Sequence, residues 1–390
     1  MVLSPYDELP VHQTSRPLSV VADTSTGFDD GYYFGAFSAV DQTFCFQGLR
    51  ILPNTDLVGG YVGLHRGGRQ RTVRFSRTWR DVCDTAVGPY RITVVTPYRH
   101  IRLQLAPNES GLSCELDWYG AAPAYLEAHH LATNRGRPTT DQSRYSQAGT
   151  VRGWIDLDGE RIDVGPPHWF GSRDHSWGVY FERPPLAPDA ALLPPRAPEG
   201  VSRALRFWTL FASDGMSGFY AIHEDALGRQ VPMNDTFGTP FEGRLSVGWD
   251  DEVYELTAGR CDLKLVPGTR LLHRARVVLR DSAGAQWVQE VQPACLPWVT
   301  STIGYQACSW RDGGSMRTYH GPGTSVEFDE IDVSTQPFDH RQHDGTLQRG
   351  LIGKEYLVST RTVAPDGREW VGAGQTELFL DGPYAPLGLG

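Results

Sequence analysis

The stretch GSRDHSWGVY, residues 171–180, sets a guanidinium (Arg173), a carboxyl (Asp174), an imidazole (His175), a hydroxyl (Ser176) and an indole (Trp177) side by side. Carboxyls and imidazoles move protons, and removal from water or a charged neighbour shifts their pKa toward general acid or base work. The same groups also build buried networks that only fix a fold. On that structural reading Asp174 accepts backbone N–H bonds, His175 is a satisfied core imidazole, and Arg173, with Ser176 in its network, forms an ion pair locking two elements together.

If the stretch is a regular strand, its side chains alternate between two faces. Ser172, Asp174, Ser176, Gly178 and Tyr180 then share one face, and Arg173, His175, Trp177, Val179 and Phe181 the other. Asp174 and His175 reach one cavity together only if the backbone bulges between them. The expectation is that the Asp174 face lines the cavity.

The elements around the motif read as strands. Asp-Gly, the strongest short hairpin signal, begins at Asp30, Asp158, Asp214, Asp312, Asp344, Asp366 and Asp381. Around Asp158 the pattern is a clear strand–turn–strand, with Val151, Ile155 and Leu157 before the turn and Ile162 and Val164 after it. Only Pro123–Ala132 hints at a helical turn. Many short strands with tight turns predict an all-β barrel or sandwich. Six prolines between Arg183 and Gly200 exclude a core strand there. The expected layout is therefore an N-terminal unit over 1–183, a Pro-rich linker over 184–200 and a C-terminal unit over 201–390.

Composition narrows the function classes. With 390 residues and 40% hydrophobic residues, the chain builds a substantial core. Aromatic residues, 11% of the chain, suit β-structure or an apolar ligand cavity. A net charge of −10 argues against nucleic acid as a partner. No apolar run is long enough to span a bilayer, and the N-terminus lacks a signal-peptide pattern. Six scattered cysteines read as free thiols, so a cytoplasmic location is expected. There is no nucleophile elbow, P-loop or dinucleotide fingerprint. His340, His343 and Asp344 sit at an Asp-Gly turn and read as a solvated loop rather than a metal site.

The stretch Tyr145–Tyr180 resembles the AttH-like group of the carotenoid 1,2-hydratase (CrtC-like) superfamily. The resemblance rests on Gly171, Arg173, Asp174, His175, Ser176, Trp177 and Gly178, preceded by the Asp158–Gly159 turn. Weaker echoes are DDGYYFGAF near the start, SVEFDEIDV, and the closing TELFLDGPYAPLG. It implies two consecutive lipocalin-like (calycin) antiparallel β-barrels. It also implies redox-neutral chemistry without an organic cofactor, on a bulky apolar molecule such as a terpenoid, steroid or polyketide; no metal site is expected from the residues. The match carries the acid role onto Asp174.

Such a reaction, whether hydration, dehydration, isomerisation or cyclisation, needs a proton donor kept neutral by burial and aromatic faces to steady a cation. It would make the chain a lyase (hydratase) or an isomerase/cyclase. His175 is the candidate to orient water. Trp177, Tyr180, Trp154 and Trp208 are candidate walls, and His223 a contributor from the second unit. The alternatives are a carrier for an apolar ligand, which needs no acid in its cavity, and a domain pair that only supports a partner. A homodimer is compatible with either.

Overall fold

The computed structural model describes residues 14–79, 84–134, 137–180, 204–232, 239–334, 340–348, 353–380 and 382–390. The proline-rich stretch 184–200 lies outside them, as does Phe181. Twenty-four strands run through these residues, joined by turns and short 3-10 segments. In the first half they are β1 (Phe28–Ser38), β2 (Thr43–Leu52), β3 (Leu57–Arg66), β4 (Arg69–Thr78), β5 (Ala86–Val87), β6 (Tyr90–Thr96), β7 (His100–Leu105), β8 (Leu112–Gly120), β9 (Tyr125–Leu126), β10 (His130–Asn134), β11 (Arg137–Leu157), β12 (Glu160–Val164) and β13 (Phe170–Tyr180). The second half supplies β14 (Leu205–Ser213), β15 (Met216–Glu224), β16 (Phe241–Val247), β17 (Glu252–Leu265), β18 (Leu272–Asp281), β19 (Gln286–Pro293), β20 (Ser325–Asp332), β21 (His340–Arg341), β22 (Leu347–Gln348), β23 (Gly353–Val363) and β24 (Glu369–Leu380).

Strands β14 to β19, β23 and β24 close into an eight-stranded antiparallel barrel, sealed by pairing of β14 with β24. The other large sheet runs β20-β4-β3-β2-β1-β13-β11-β8-β7-β6-β5, with β9, β10 and β12 on β11. It curls around one core, so Phe34, Val62 and Phe75 from β1, β3 and β4 meet Tyr90, Leu103 and Leu116 from β6 to β8. The all-β, two-barrel architecture expected from the resemblance is the one adopted, with the first barrel open. No helix of the described residues is long and apolar enough to cross a membrane.

Strands β1 and β2 are buried on both faces, and alternation splits their side chains between two cores. Phe34, Ala36, Cys45 and Leu49 fill the first sheet. Tyr33, Phe37, Phe44 and Phe46 point the other way, into a core shared with Trp208, Leu210, Phe219 and Leu357 of the closed barrel. A sheet buried on both faces reads as nearly continuous apolar sequence, as TFCFQGLRIL does. The chain after β19 also crosses to the first sheet. Trp298 stacks on Phe46 with ring centroids 4.2 Å apart, and β20 pairs with β4 from Ser325↔Ser76 to Asp332↔Arg69. The first sheet's edge strand thus comes from the second half of the sequence.

The helical turn expected over Pro123–Ala132 does not form. Strands β9 and β10 both pair with β11, and Glu127 and His130 are buried. Ten residues are too few for a helix to outcompete ladder pairing with a 21-residue strand.

Candidate active site between the barrels

Strand β13 lies between β1 and β11 and carries the motif as a regular strand, with Asp174 opposite Tyr33 on one side and Ser146 on the other. No register shift interrupts either ladder, so the two faces stay separate. Asp174 and Tyr180 face a cavity of about 360 Å³ between the first sheet and the closed barrel. From the first sheet come also Tyr33, Arg50, Tyr61 and Arg144. The closed barrel adds Arg206 and Trp208 from β14, Glu355 from β23, and Gln375, Glu377 and Phe379 from β24. The crossing segment closes one side with Trp298, Thr300, Ile303, Tyr305 and Gln306. A hollow of about 400 Å³ between Arg260, Asp262, Arg276 and Arg280 is slightly larger, but those four side chains are exposed on the outside of the closed barrel. The interbarrel cavity is the one that Asp174 faces, and it also gathers Glu355, Glu377, Arg144 and Arg206.

The cavity wall is mostly aromatic and charged. Arg50 donates to Asp29 at 2.7 Å and to the hydroxyl of Tyr305 at 3.1 Å. The hydroxyls of Tyr305 and Tyr61 lie 3.2 Å apart. Arg206 Nε donates to Glu377 at 3.2 Å. Burial works against the charge of Arg144, but Asp174 and Glu127 outweigh it and hold the guanidinium protonated. Five buried atoms on this wall have no hydrogen-bond partner among the described residues: the Tyr33 hydroxyl, Asp174 Oδ1, Arg144 Nε, Trp208 Nε1 and Trp298 Nε1. Unsatisfied buried polar atoms are costly, and their convergence on one cavity marks a place where a ligand supplies the partners.

Glu355 is fixed by a chain that starts in the motif. Ser172 Oγ donates to Gln375 Oε1 at 2.7 Å, and Gln375 Nε2 donates to Glu355 Oε2 at 2.9 Å. Burial, with Glu377 and Asp174 adding repulsion, pushes the Glu355 carboxyl up to about 8. It is therefore a neutral acid at neutral pH, facing the same space as Asp174. A neutral carboxylic acid, a second carboxyl and several aromatic faces in one cavity are the parts of proton-driven chemistry on carbon.

The sequence-predicted residues are divided by the fold. Asp174, Tyr180 and Trp208 line the cavity. His175 and Trp177 lie on the opposite face of β13, with rings 5.4 Å apart, and do not reach it. Arg173 shares that face and makes no ion pair among the described residues: its guanidinium sits 5.0 to 5.5 Å from the ring centroids of Phe34, Trp118 and Tyr145. Ser176 is fully buried and its Oγ has no hydrogen-bond partner among the described residues. Trp154 is remote, pairing with Asp163 beneath the guanidinium of Arg161. His223 stands behind the wall, its Nε2 3.4 Å from Arg206 Nη1. In the metal-spaced stretch, the side chains of Asp339 and His340 lie outside the described residues, and His343 Nε2 lies 3.1 Å from Arg74 Nη2 and 3.4 Å from Asp329.

Sequence reasoning missed Glu355, Gln375, Glu377, Arg144, Arg206 and Arg50. Their signal is polar residues at every second position of otherwise apolar strands, as in QTELF, where Gln375, Glu377 and Phe379 share a face. Alone, that pattern reads as an outward, solvated face.

No curated protein matches the chain. Among solved structures it is similar to kievitone hydratase from Nectria haematococca, with 10% identity, 98% of this chain and 96% of that one covered, and a TM-score of 0.46. It is also similar to CghA with Sch210972, with 10% identity, coverage of 91% and 89%, and a TM-score of 0.45. A further CghA structure gives 11% identity, coverage of 95% and 96%, and a TM-score of 0.44. Residues 3–390, nearly the whole length, match one family model, and the chain belongs to that family of unknown function, DUF8625.

Proposed function

We propose that this protein is a cofactor-independent, redox-neutral enzyme that moves protons on a bulky, largely apolar small molecule held between the barrels. The observation that carries the reading is the pairing of a half-buried neutral acid, Glu355, with Asp174, whose buried Oδ1 has no hydrogen-bond partner among the described residues, across one aromatic-lined cavity. Glu355 donates the proton to a double bond, carbonyl or leaving hydroxyl, and the rings of Trp208, Trp298 and Tyr33 steady the positive charge that follows. Asp174 accepts the proton given up by water or by an adjacent carbon. With water the outcome is hydration, and without it isomerisation or cyclisation. The cavity volume suits a small molecule, and its polar atoms call for one bearing oxygen substituents rather than a pure hydrocarbon.

Oxygenated terpenoids, steroids and polyketides, screened first by thermal shift, provide the test. A binder incubated in deuterium oxide should give an isomer, or a product differing by the elements of water, with deuterium incorporated at carbon. Asp174→Asn and Glu355→Gln should each abolish conversion while still binding. A product differing by two hydrogens, or full activity in both variants, would overturn the reading.

A further inference from the structure

The other face of β13 carries a second constellation that the interbarrel cavity does not use. His175 Nε2 lies 2.6 Å from Asp30 Oδ1, and His175 Nδ1 lies 3.2 Å from the hydroxyl of Tyr145. Arg173 Nη2 donates to the same hydroxyl. The roles follow from what each group can do. A carboxylate only accepts, so Nε2 carries the proton toward Asp30. The neutral imidazole then accepts at Nδ1, and the phenol donates to it while accepting from Arg173. The result is an Asp–His pair aligned to take the proton of a tyrosine whose oxygen faces a guanidinium.

Two independent features point outward from this relay. Tyr98, 48% exposed, holds a backbone φ of 62°, a left-handed conformation that is costly for a bulky residue. Its carbonyl is anchored by Gln147 Nε2 at 2.8 Å, and its ring stands edge-on to Tyr145 at 5.4 Å. The strained turn thus presents an exposed aromatic ring beside the relay. The relay itself opens to solvent: the Asp30 side chain is 45% exposed and that of His175 17%. Arg173 is nearly buried, and its Nε and Nη1 have no hydrogen-bond partner among the described residues. Caged by Phe34, Trp118 and Tyr145, its charge is directed at the Tyr145 oxygen and, among the described residues, pairs with no carboxylate.

We propose that this face is a second site, in which Tyr145 exchanges a proton with a planar aromatic or conjugated small molecule bearing a hydroxyl or carbonyl, seated against Tyr98 and Trp177. In the exchange the Tyr145 proton passes to His175 Nδ1, giving an imidazolium paired with Asp30. The phenolate, held by Arg173, takes one proton from the ligand hydroxyl. The reverse sequence returns it, and no other bond changes.

The test is the reactivity of Tyr145 toward benzenesulfonyl fluoride, read by peptide mass spectrometry on the full chain. The phenol oxygen bonds to sulfur, fluoride leaves, and the phenol proton goes to His175. Tyr145 should be modified at least about tenfold faster than Tyr319, which is 56% exposed. His175→Asn should slow modification by roughly 10²-fold, and Tyr145→Phe should remove it. Asp30→Asn, at the solvent end of the relay, should slow it about tenfold and tests the proposal even if His175→Asn fails to fold. Modification of Tyr145 no faster than Tyr319, or at a rate unaffected by Asp30→Asn, would overturn it.

Discussion

Asp174 and His175 are chain neighbours that serve opposite sides of one sheet: Asp174 opens onto the interbarrel cavity, while His175 is bonded 2.6 Å from Asp30 on the other face. Regular pleating of β13 separates them, because its ladders to β1 and β11 run without a bulge. A motif that looks like one site in the sequence is two half-sites back to back.

The first prediction follows from that separation. Asp174→Asn keeps the shape of the side chain, whose Oδ1 has no hydrogen-bond partner among the described residues, and gives up only the charge facing Arg144, so it should cost no more than about 1 kcal/mol. His175→Asn removes the bonds to Asp30 and Tyr145 and should cost about 1–3 kcal/mol. Urea melts of the two variants decide it: equal losses in both would mean that Asp174 is a structural carboxylate after all.

Glu355 makes stability depend on pH in a stated direction. Its folded pKa, pushed to about 8 by burial and then by Glu377 and Asp174, lies above the roughly 4.3 of an unfolded glutamate. Between those values the folded state holds a proton that the unfolded state has lost, so stability falls as pH rises through the window. Glu355→Gln mimics the protonated form. It should match wild type near pH 4.5 and be more stable at pH 8.5, by an amount on the order of a few kcal/mol. A wild-type-minus-variant difference that does not change with pH would remove Glu355 as the neutral acid. Turnover that needs this acid should also decline above about pH 8.

Asp29 ties the crossing segment to the first sheet. It is fully buried between Arg50, at 2.7 Å, and Arg317 of the segment linking β19 to β20. Asp29→Ala leaves two buried guanidinium groups facing each other and should cost about 3–5 kcal/mol. Amide hydrogen exchange should rise around Arg317 before it rises in the closed barrel. An unchanged exchange pattern would show that the Trp298 stack holds the segment alone.

The strands and their turns were largely legible because period-2 patterning and Asp-Gly turns act locally. At Asp158–Gly159 both residues have positive φ, as a two-residue hairpin demands. Asp30–Gly31 shows where local reading stops. It lies inside β1, where Gly31 leaves room for the Arg50 side chain, whose Cγ would lie 2.5 Å from an added Cβ. The face of Asp174 was legible from alternation. Glu355 was not, because it lies 181 positions away in sequence and becomes a site residue only when a second barrel covers its face. The first barrel's edge strand was hidden for the same reason, since β20 pairs with a strand some 250 residues earlier.

Two glycines with positive φ separate close approach from conformational freedom. Gly159 has φ 86° and nothing within 4 Å of an added Cβ, so Gly159→Ala meets only the backbone cost of that region, about 1–2 kcal/mol. Gly178, inside the motif, has φ 128°, and its Cβ would stand 2.2 Å from the carbonyl oxygen of Asp141 on β11. That neighbour is backbone in a continuous ladder and has no side-chain freedom with which to yield. Gly178→Ala should therefore cost clearly more than Gly159→Ala, about 3 kcal/mol or above, and should disturb the β11–β13 pairing that carries both Asp174 and Tyr145. Urea denaturation of both variants, with hydrogen exchange across residues 140–145, is the check. Equal costs would mean that β13 bends freely at Gly178 and that the two faces of the motif are less firmly separated than the ladder implies.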